Sequence, residues 1–408
     1  MKKYIIIALS ILFVTNSFAQ LKDFSYKFYG QVRTDIFYNS RANEETVDGL
    51  FYMYPKDKVL DDDGNDLNGT ANGSFYILYS RLGVDVAGPK LGTAKTSAKI
   101  EADFRGSGTS YSTVRIRHAY LNLDWGTSAL LLGQTWHPLF GDVSPQILNL
   151  ATGAPFQPFS RSPQIRYRYS DKNYQLTGAL VWQSQYLSQG PVGKSQDYIK
   201  NSCLPEIYVG ADYKSEGLLA GVGIELLSLK PRTQATGENG HTYKVSERIT
   251  TLSYEAHVKY TNNDWFLGAK TVLGSNLTQA SGLGGFGIKS TDKRTGEQKY
   301  TPIRVSSTWI NAVYGKKWKP GIFVGYAKNL GTSDELEAGS KLYGTGTNLD
   351  KLVTAGAELT YNVPHWKFGL EYTLSSAWYG SVERTNGKVI DTHAVCNNRI
   401  VAVAMFMF

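Results

Sequence analysis

The sequence predicts an all-β chain, a transmembrane antiparallel β-barrel of about sixteen strands with long extracellular loops. Three observations carry that prediction. Segments of about ten residues alternate apolar and polar side chains along most of the chain. The last of them alternates up to the final residue: Ile400, Ala402, Ala404, Phe406 and Phe408 share one face, and Val401, Val403, Met405 and Met407 the other. A terminal aromatic on such a strand is what outer-membrane barrels present to their assembly machinery. Finally, 27 Tyr, 17 Phe and 8 Trp supply interface girdles and 41 Gly suit tight turns and crowded strand faces, while no internal apolar run reaches a helical span. Mean hydropathy is slightly negative, as strands that hide their hydrophobicity by alternation require.

The elements follow in order. Lys2 and Lys3 precede an apolar run from Tyr4 to Val14, and Ser17 and Ala19 occupy the small-residue positions of a signal-peptidase site. Residues 1–19 are therefore expected to be a signal peptide and 20–408 a single barrel domain. Strand 1 puts Tyr26, Phe28, Gly30, Val32, Thr34 and Ile36 outward and Lys27, Gln31, Arg33 and Asp35 inward. After a polar loop at 40–73, strand 2 is expected to carry Tyr76, Leu78, Leu82, Val84 and Val86 outward, with Arg81, Gly83 and Asp85 inward. Strand 3 opposes Ala98, Ile100, Ala102 and Phe104 to Lys99, Glu101, Asp103 and Arg105. Short turns are expected near 88–95, 125–127, 170–172, 214–216, 262–264, 316–319 and 362–364. Longer connections are expected near 106–111, 136–162, 184–203, 230–246, 275–301, 331–350 and 379–395. Seven short turns and eight loops make sixteen strands, enough for a water-filled lumen. A plugged transporter of about twenty-two strands does not fit in this length.

The net charge of +8, or +6 without Lys2 and Lys3, is too modest to suggest nucleic acid. Cys203 and Cys396 fall near the starts of strands 8 and 16, across the barrel from each other, and are expected to stay unpaired. The six histidines show no metal or nucleophile spacing, so no enzyme is predicted.

Arginine gathers on the inward faces of the first third: Arg33, Arg81, Arg115, Arg117, Arg166 and Arg168. On the lipid face each charge costs several kcal/mol near the midplane, so these side chains are expected to line the lumen or interfaces. A basic wall attracts anions and repels cations, which is how a wide pore acquires selectivity. Glu101, Asp103 and Asp85 lie inward on neighbouring strands, and simple charge pairing that supports the wall is the competing reading. One irregularity stands out: with Arg115 and Arg117 inward, strict alternation sends His118 and Tyr120 outward and Leu121 and Leu123 inward. A bulge or a subunit interface resolves it.

The connection at 136–162 carries Leu139, Phe140, Ile147, Leu148, Leu150, Phe156 and Phe159, punctuated by four prolines. Such apolar surface does not belong in open water. Folding back into the barrel mouth buries it, and Asp142 and Arg161 then stand with Glu101 and Asp103 in the constriction; packing on a neighbouring subunit is the alternative. In the first loop, Asp61, Asp63 and Asn65 lie around Gly64 as in a calcium loop, without EF-hand spacing. No cofactor is expected, and Ca²⁺ at these three residues is the weak exception.

Arg81–Val86, Lys95–Phe104, Arg115-Ile116-Arg117-His118-Ala119-Tyr120 and Gly133-Gln134-Thr135-Trp136, in that order, resemble the DcaP-like porins of Gram-negative outer membranes. The resemblance covers roughly residues 75–170. It implies a sixteen-stranded, trimeric channel with a basic constriction that favours anionic solutes such as dicarboxylates. The family's N-terminal coiled-coil segment has no counterpart before strand 1. The expected function is passive diffusion of small hydrophilic solutes with a moderate anion preference. Expected partners are small anionic solutes, outer-membrane lipid and lipopolysaccharide, the barrel assembly machinery and two further copies of the chain. The competing expectation is a surface-exposed ligand-binding or adhesion barrel with an occluded lumen, its ligand engaged by loop stretches such as 50–54 and 275–300.

Overall fold

The computed structural model describes residues 23–47, 49–105 and 113–408. The expected signal peptide at 1–19 and the connection at 106–111 lie outside the described residues. Sixteen antiparallel strands close into a barrel. They are β1 (Ser25–Asn39), β2 (Arg81–Leu91), β3 (Ala94–Arg105), β4 (Thr113–Asp124), β5 (Ser128–Trp136), β6 (Arg161–Ser170), β7 (Tyr174–Val181) and β8 (Glu206–Lys214). Then follow β9 (Leu218–Leu229), β10 (Ile249–Thr261), β11 (Trp265–Ser275), β12 (Gln298–Tyr314), β13 (Trp318–Gly331), β14 (Leu349–Val363), β15 (Trp366–Val382) and β16 (Val389–Met407). Each pairs with its sequence neighbour, and β16 closes on β1 from Gln31↔Met407 to Asn39↔Arg399. Closure joins the first strand to the last, as a lipid environment demands. No described helix is long and apolar enough to cross a membrane.

Alternation places the side chains as the hydrophobic pattern requires. On β1, Phe28, Val32 and Ile36 are exposed outward while Arg33, Asp35 and Asn39 are buried inward. Aromatic pairs ring the short-turn rim: Tyr174 with Tyr213, Trp265 with Tyr314, Trp318 with Tyr361, and Trp366 with Phe406. Amphipathic rings at that height are the interface girdle of a membrane barrel. Ile36 lies well inside the outward band, opposite Ala402 of β16. Ile36→Lys is therefore expected to cost about 2–4 kcal/mol, the midplane penalty for a charge on the lipid face. Denaturant unfolding in phosphatidylcholine bilayers measures it, and a cost near zero means that this face is not in lipid.

The structure corrects two expectations and resolves the irregularity in β4. Tyr76 and Leu78 do not share the outward face of β2. A separate segment, Asn72–Tyr76, pairs with the upper half of β1, and the chain breaks step before Arg81. Tyr76 stacks on the inward Phe37, Leu78 is buried, and Phe75 and Ile77 take the outward positions. In β4 the irregularity is a bulge: Glu101 faces His118 and Ala102 faces Ile116, so Arg117 is the extra residue. The phase flips there, leaving Tyr120 opposite Lys99 and Leu121 exposed on the outside. Finally, the connection expected at 379–395 is mostly strand, because β15 runs on to Val382 and β16 starts at Val389.

Both cysteines are free and exposed, as expected. Titration of the denatured, unreduced protein should therefore find two thiols per chain; a blocked pair contradicts the arrangement.

Candidate functional site

The connection between β5 and β6 decides what the lumen can do. Its apolar residues cannot be left in water, and the barrel offers an inner wall to receive them. Phe156 and Val143 pack with Trp309, Phe323, Ala327, Leu352, Ala377 and Val395 of β12–β16. Leu148 and Leu150 pack with Phe37, Val401 and Val403. The inner face of β16 is apolar at Val401 and Val403 for this reason. Two inward glycines make room: a Cβ on Gly325 would collide with the Phe156 ring and one on Gly369 with Leu148.

Polar wall groups bond the loop at several points, most of them on its backbone, as buried peptide groups require. Lys270 Nζ donates to the carbonyls of Leu139 (2.7 Å) and Phe140 (3.0 Å). Trp309 Nε1 donates to Gln157 Oε1 at 2.8 Å, and Asn311 Oδ1 accepts from the Gln146 amide at 2.7 Å. Glu371 Oε2 accepts from the amides of Leu148 (2.7 Å) and Asn149 (3.2 Å), while Arg33 donates to the Leu148 carbonyl at 2.7 Å. The loop thus leans on β11–β15 and reaches β1.

A second loop joins it. The hairpin of Asn43–Thr46 with Phe51–Pro55 folds inward, burying Leu50, Phe51, Tyr52 and Tyr54. Phe51 meets Phe159 edge-on at 5.0 Å, and Tyr379 donates to the Pro55 carbonyl at 2.7 Å. Above the loop root lies a cavity of about 200 Å³ lined by Phe51, Arg105, Arg115, Tyr186 and Lys194 among others.

The arginines occupy the wall from β1 to β6. Arg33 pairs with Asp35 at 2.6 Å. Arg115 grips Asp103 through two bonds of 2.7 and 2.6 Å. Arg117, carried inward by the bulge, reaches Glu101 at 2.6 Å and Asp103 at 2.8 Å. Arg81 lies 3.6 Å from Glu101. Glu101 and Asp103 therefore belong to the wall and not to the loop side of the constriction. The Tyr79 ring sits among the guanidiniums of Arg81 (4.5 Å), Arg33 (5.2 Å) and Arg117 (5.2 Å). On β6, Arg168 meets Asp142 of the loop at 3.3 Å, whereas Arg166 donates to Gln164 Oε1 and the Trp136 carbonyl. Burial works to raise the Asp142 carboxyl, but the Arg168 and Arg166 charges outweigh it and hold the group below its ordinary value.

Arg161 departs from expectation. It is fully buried at the loop root, 4.7 Å from the Trp136 ring and near Phe159, with Nη2 on Tyr186 Oη at 3.0 Å. It lies behind the constriction, closed off from solvent. In sum, seven guanidiniums share this sector with four carboxylates, Asp35, Glu101, Asp103 and Asp142, while the inward Asp85 is matched by Lys99 at 2.9 Å. Among the described residues no carboxylate lies within ion-pair distance of Arg161 or Arg166.

The sequence reading found the six arginines and the folding-in of the loop, and it missed Tyr79, Tyr186 and the first-loop hairpin. Leu50–Tyr54 was visible as an aromatic stretch, but nothing local fixes where a hairpin docks. Asp61 Oδ1 accepts from the amides of Asn65 (2.7 Å) and Asp63 (3.0 Å), so that carboxylate caps its own turn.

Residues 15–182 match the family model described as DcaP outer membrane protein. In fold, the chain is similar to the outer membrane channel DcaP of Acinetobacter baumannii, with a TM-score of 0.66 at 19% identity over 95% of this chain and 98% of that one. OmpT of Vibrio cholerae in its trimer form gives 0.55 at 13% identity over 95% and 100%. An anion-selective porin from Comamonas acidovorans gives 0.56 at 11% over 95% and 100%. No curated protein matches the sequence.

Proposed function

We propose that this chain, an outer-membrane porin that is DcaP-like over residues 15–182, is a passive channel for small hydrophilic solutes with a moderate preference for anions, dicarboxylates among them. The observation that carries the reading is the charge imbalance of the wall facing the folded-in loop. Arg33, Arg81, Arg115, Arg117 and Arg168 have carboxylate partners, yet Arg161 and Arg166 do not, so the sector keeps a positive excess. In a narrow lumen with low-dielectric walls that excess raises the local anion concentration. The anion-selective porin among the similar folds and the DcaP match favour the same sign. OmpT's trimer form makes a homotrimer the expected assembly. Lipopolysaccharide at the outer rim and recognition by the assembly machinery are expected as for any barrel of this membrane.

The inward hairpin of the first loop favours a second reading, a barrel narrowed enough to act as a surface receptor. Liposome swelling separates the two. Proteoliposomes should swell faster in a small dicarboxylate than in a diamine of equal size. Equal rates remove the anion preference, and no swelling in either solute supports the receptor.

A further inference from the structure

Away from the arginine wall, two carboxylates meet in the interior with no cation to balance them. Glu206 opens β8 and Glu225 lies on β9, on the same inward face. Both are at most 1% exposed, as is His137 at the root of the β5–β6 loop. One ligand atom from each of the three falls within 4.8 Å of the others. Among the described residues no Lys or Arg lies within ion-pair distance of either carboxylate.

The hydrogen bonds settle what His137 contributes. Its Nδ1 accepts from the Leu139 amide at 3.1 Å, so Nε2 carries the proton and donates to Glu206 Oε2 at 3.0 Å. The ring is neutral and cannot offset either negative charge. Gln183 Nε2 donates to Glu206 Oε1 at 2.8 Å. Gln279, in the short helical turn Thr278–Ala280, sends one amide nitrogen to both acids, 3.3 Å from Glu206 and 3.1 Å from Glu225. Two fully buried oxygens are left without any partner, Glu225 Oε2 and Gln279 Oε1. A pair of ionised carboxylates taken out of water without a counter-charge is costly, and an unpartnered oxygen beside it adds to the cost.

We propose that this cluster is a site for a hard divalent cation, Ca²⁺ or Mg²⁺, held by Glu206, Glu225 and the Gln279 carboxamide oxygen. The donor set is all oxygen, which suits those ions and not the thiolate- or imidazole-seeking metals. Turning the Gln279 amide end for end puts Oε1 where Nε2 now stands, 3.1–3.3 Å from an oxygen of each acid. That is a natural oxygen–oxygen spacing around an ion bonded at about 2.4 Å. His137 keeps its proton and orients the liganded Glu206 from outside the coordination sphere. The ion then ties three connections to the β8–β9 wall: the root of the constriction loop through His137, the 182–205 connection through Gln183, and the 276–297 connection through Gln279.

Calorimetric titration of the chelator-stripped protein with CaCl₂, and separately with MgCl₂, tests it alongside thermal melting. Saturable binding of at least one ion is expected, with a rise in Tm, and Glu225→Gln should abolish both. Glutamine has the shape of the protonated acid and carries no charge, so in EDTA this variant should melt no lower than the wild-type protein. Gln279→Leu, in a loop and not a strand, should weaken binding by at least about tenfold. Asp61→Asn should leave the binding unchanged, which separates this cluster from the acidic first loop. Absence of binding by either ion, or binding that survives Glu225→Gln, overturns the site and leaves the pair sharing a proton.

Discussion

Arg117→Met is expected to destabilise the barrel by about 3–5 kcal/mol, because breaking a buried ion pair strands its partners. Arg117 is 2% exposed, and its guanidinium joins Glu101 to Asp103 across β3 and β4. Arg81 and Arg115 remain beside the two acids, which places the loss toward the lower end of that range. Methionine keeps an apolar stem and removes the charged head together with its hydrogen bonds to Glu101 and Asp103. Unfolding by urea in detergent micelles reads the loss. Glu101→Gln in the same background should recover part of it, since Glu101 is then left with Arg81 as its one guanidinium, at 3.6 Å, and its buried charge is under-compensated. A variant as stable as wild type means that this cluster is solvated and that the wall is not held together by charge. The same substitution removes one positive charge from the lumen, so anion selectivity should fall with it.

The second large effect concerns the loop and not the charges. Gly325 on β13 faces inward where the Phe156 ring rests, and a β-carbon there would overlap that ring. Gly325→Val must therefore push Phe156 off the β12–β15 wall. Overpacking of this kind costs about 1–3 kcal/mol. Displacement away from β12–β15 carries the loop across the lumen toward the arginine wall, so the pore is expected to narrow and single-channel conductance to drop. Phe156→Ala added to Gly325→Val relieves the overlap and should restore conductance toward the wild-type value. Unchanged conductance in Gly325→Val shows that the loop does not set the limiting width.

Much of this was legible in the sequence because a lipid-facing strand has little freedom. Val32, Ile36, Ile100 and Ile400 had to alternate with polar partners, and the strand count followed from that rhythm. The bulge in β4 left a trace too, since Arg115, Arg117 and Tyr120 cannot share a face without one. Its position, however, is a property of pairing with β3, which a single strand does not contain. The step between Tyr76 and Arg81 escaped for the same reason. Inner-wall packing left a different kind of silence: Val401 and Val403 look like any alternation, and their burial becomes intelligible only once Leu148 and Leu150 lie against them. Gly325 and Gly369 carry no mark that distinguishes them from turn glycines. Tyr79 became the centre of three guanidiniums through tertiary placement alone, and His137, Glu206 and Glu225 come from segments too far apart to form a motif.

A net-positive wall facing a folded-in loop is expected to select for anions. The reversal potential of the purified protein in a planar bilayer under a KCl gradient tests it most directly. A stable open conductance whose reversal potential has the anion-selective sign, shifted toward zero in Arg117→Met and Arg166→Gln, is the predicted result. A cation-selective sign contradicts the account, because the four acids of the wall would then outweigh its seven arginines.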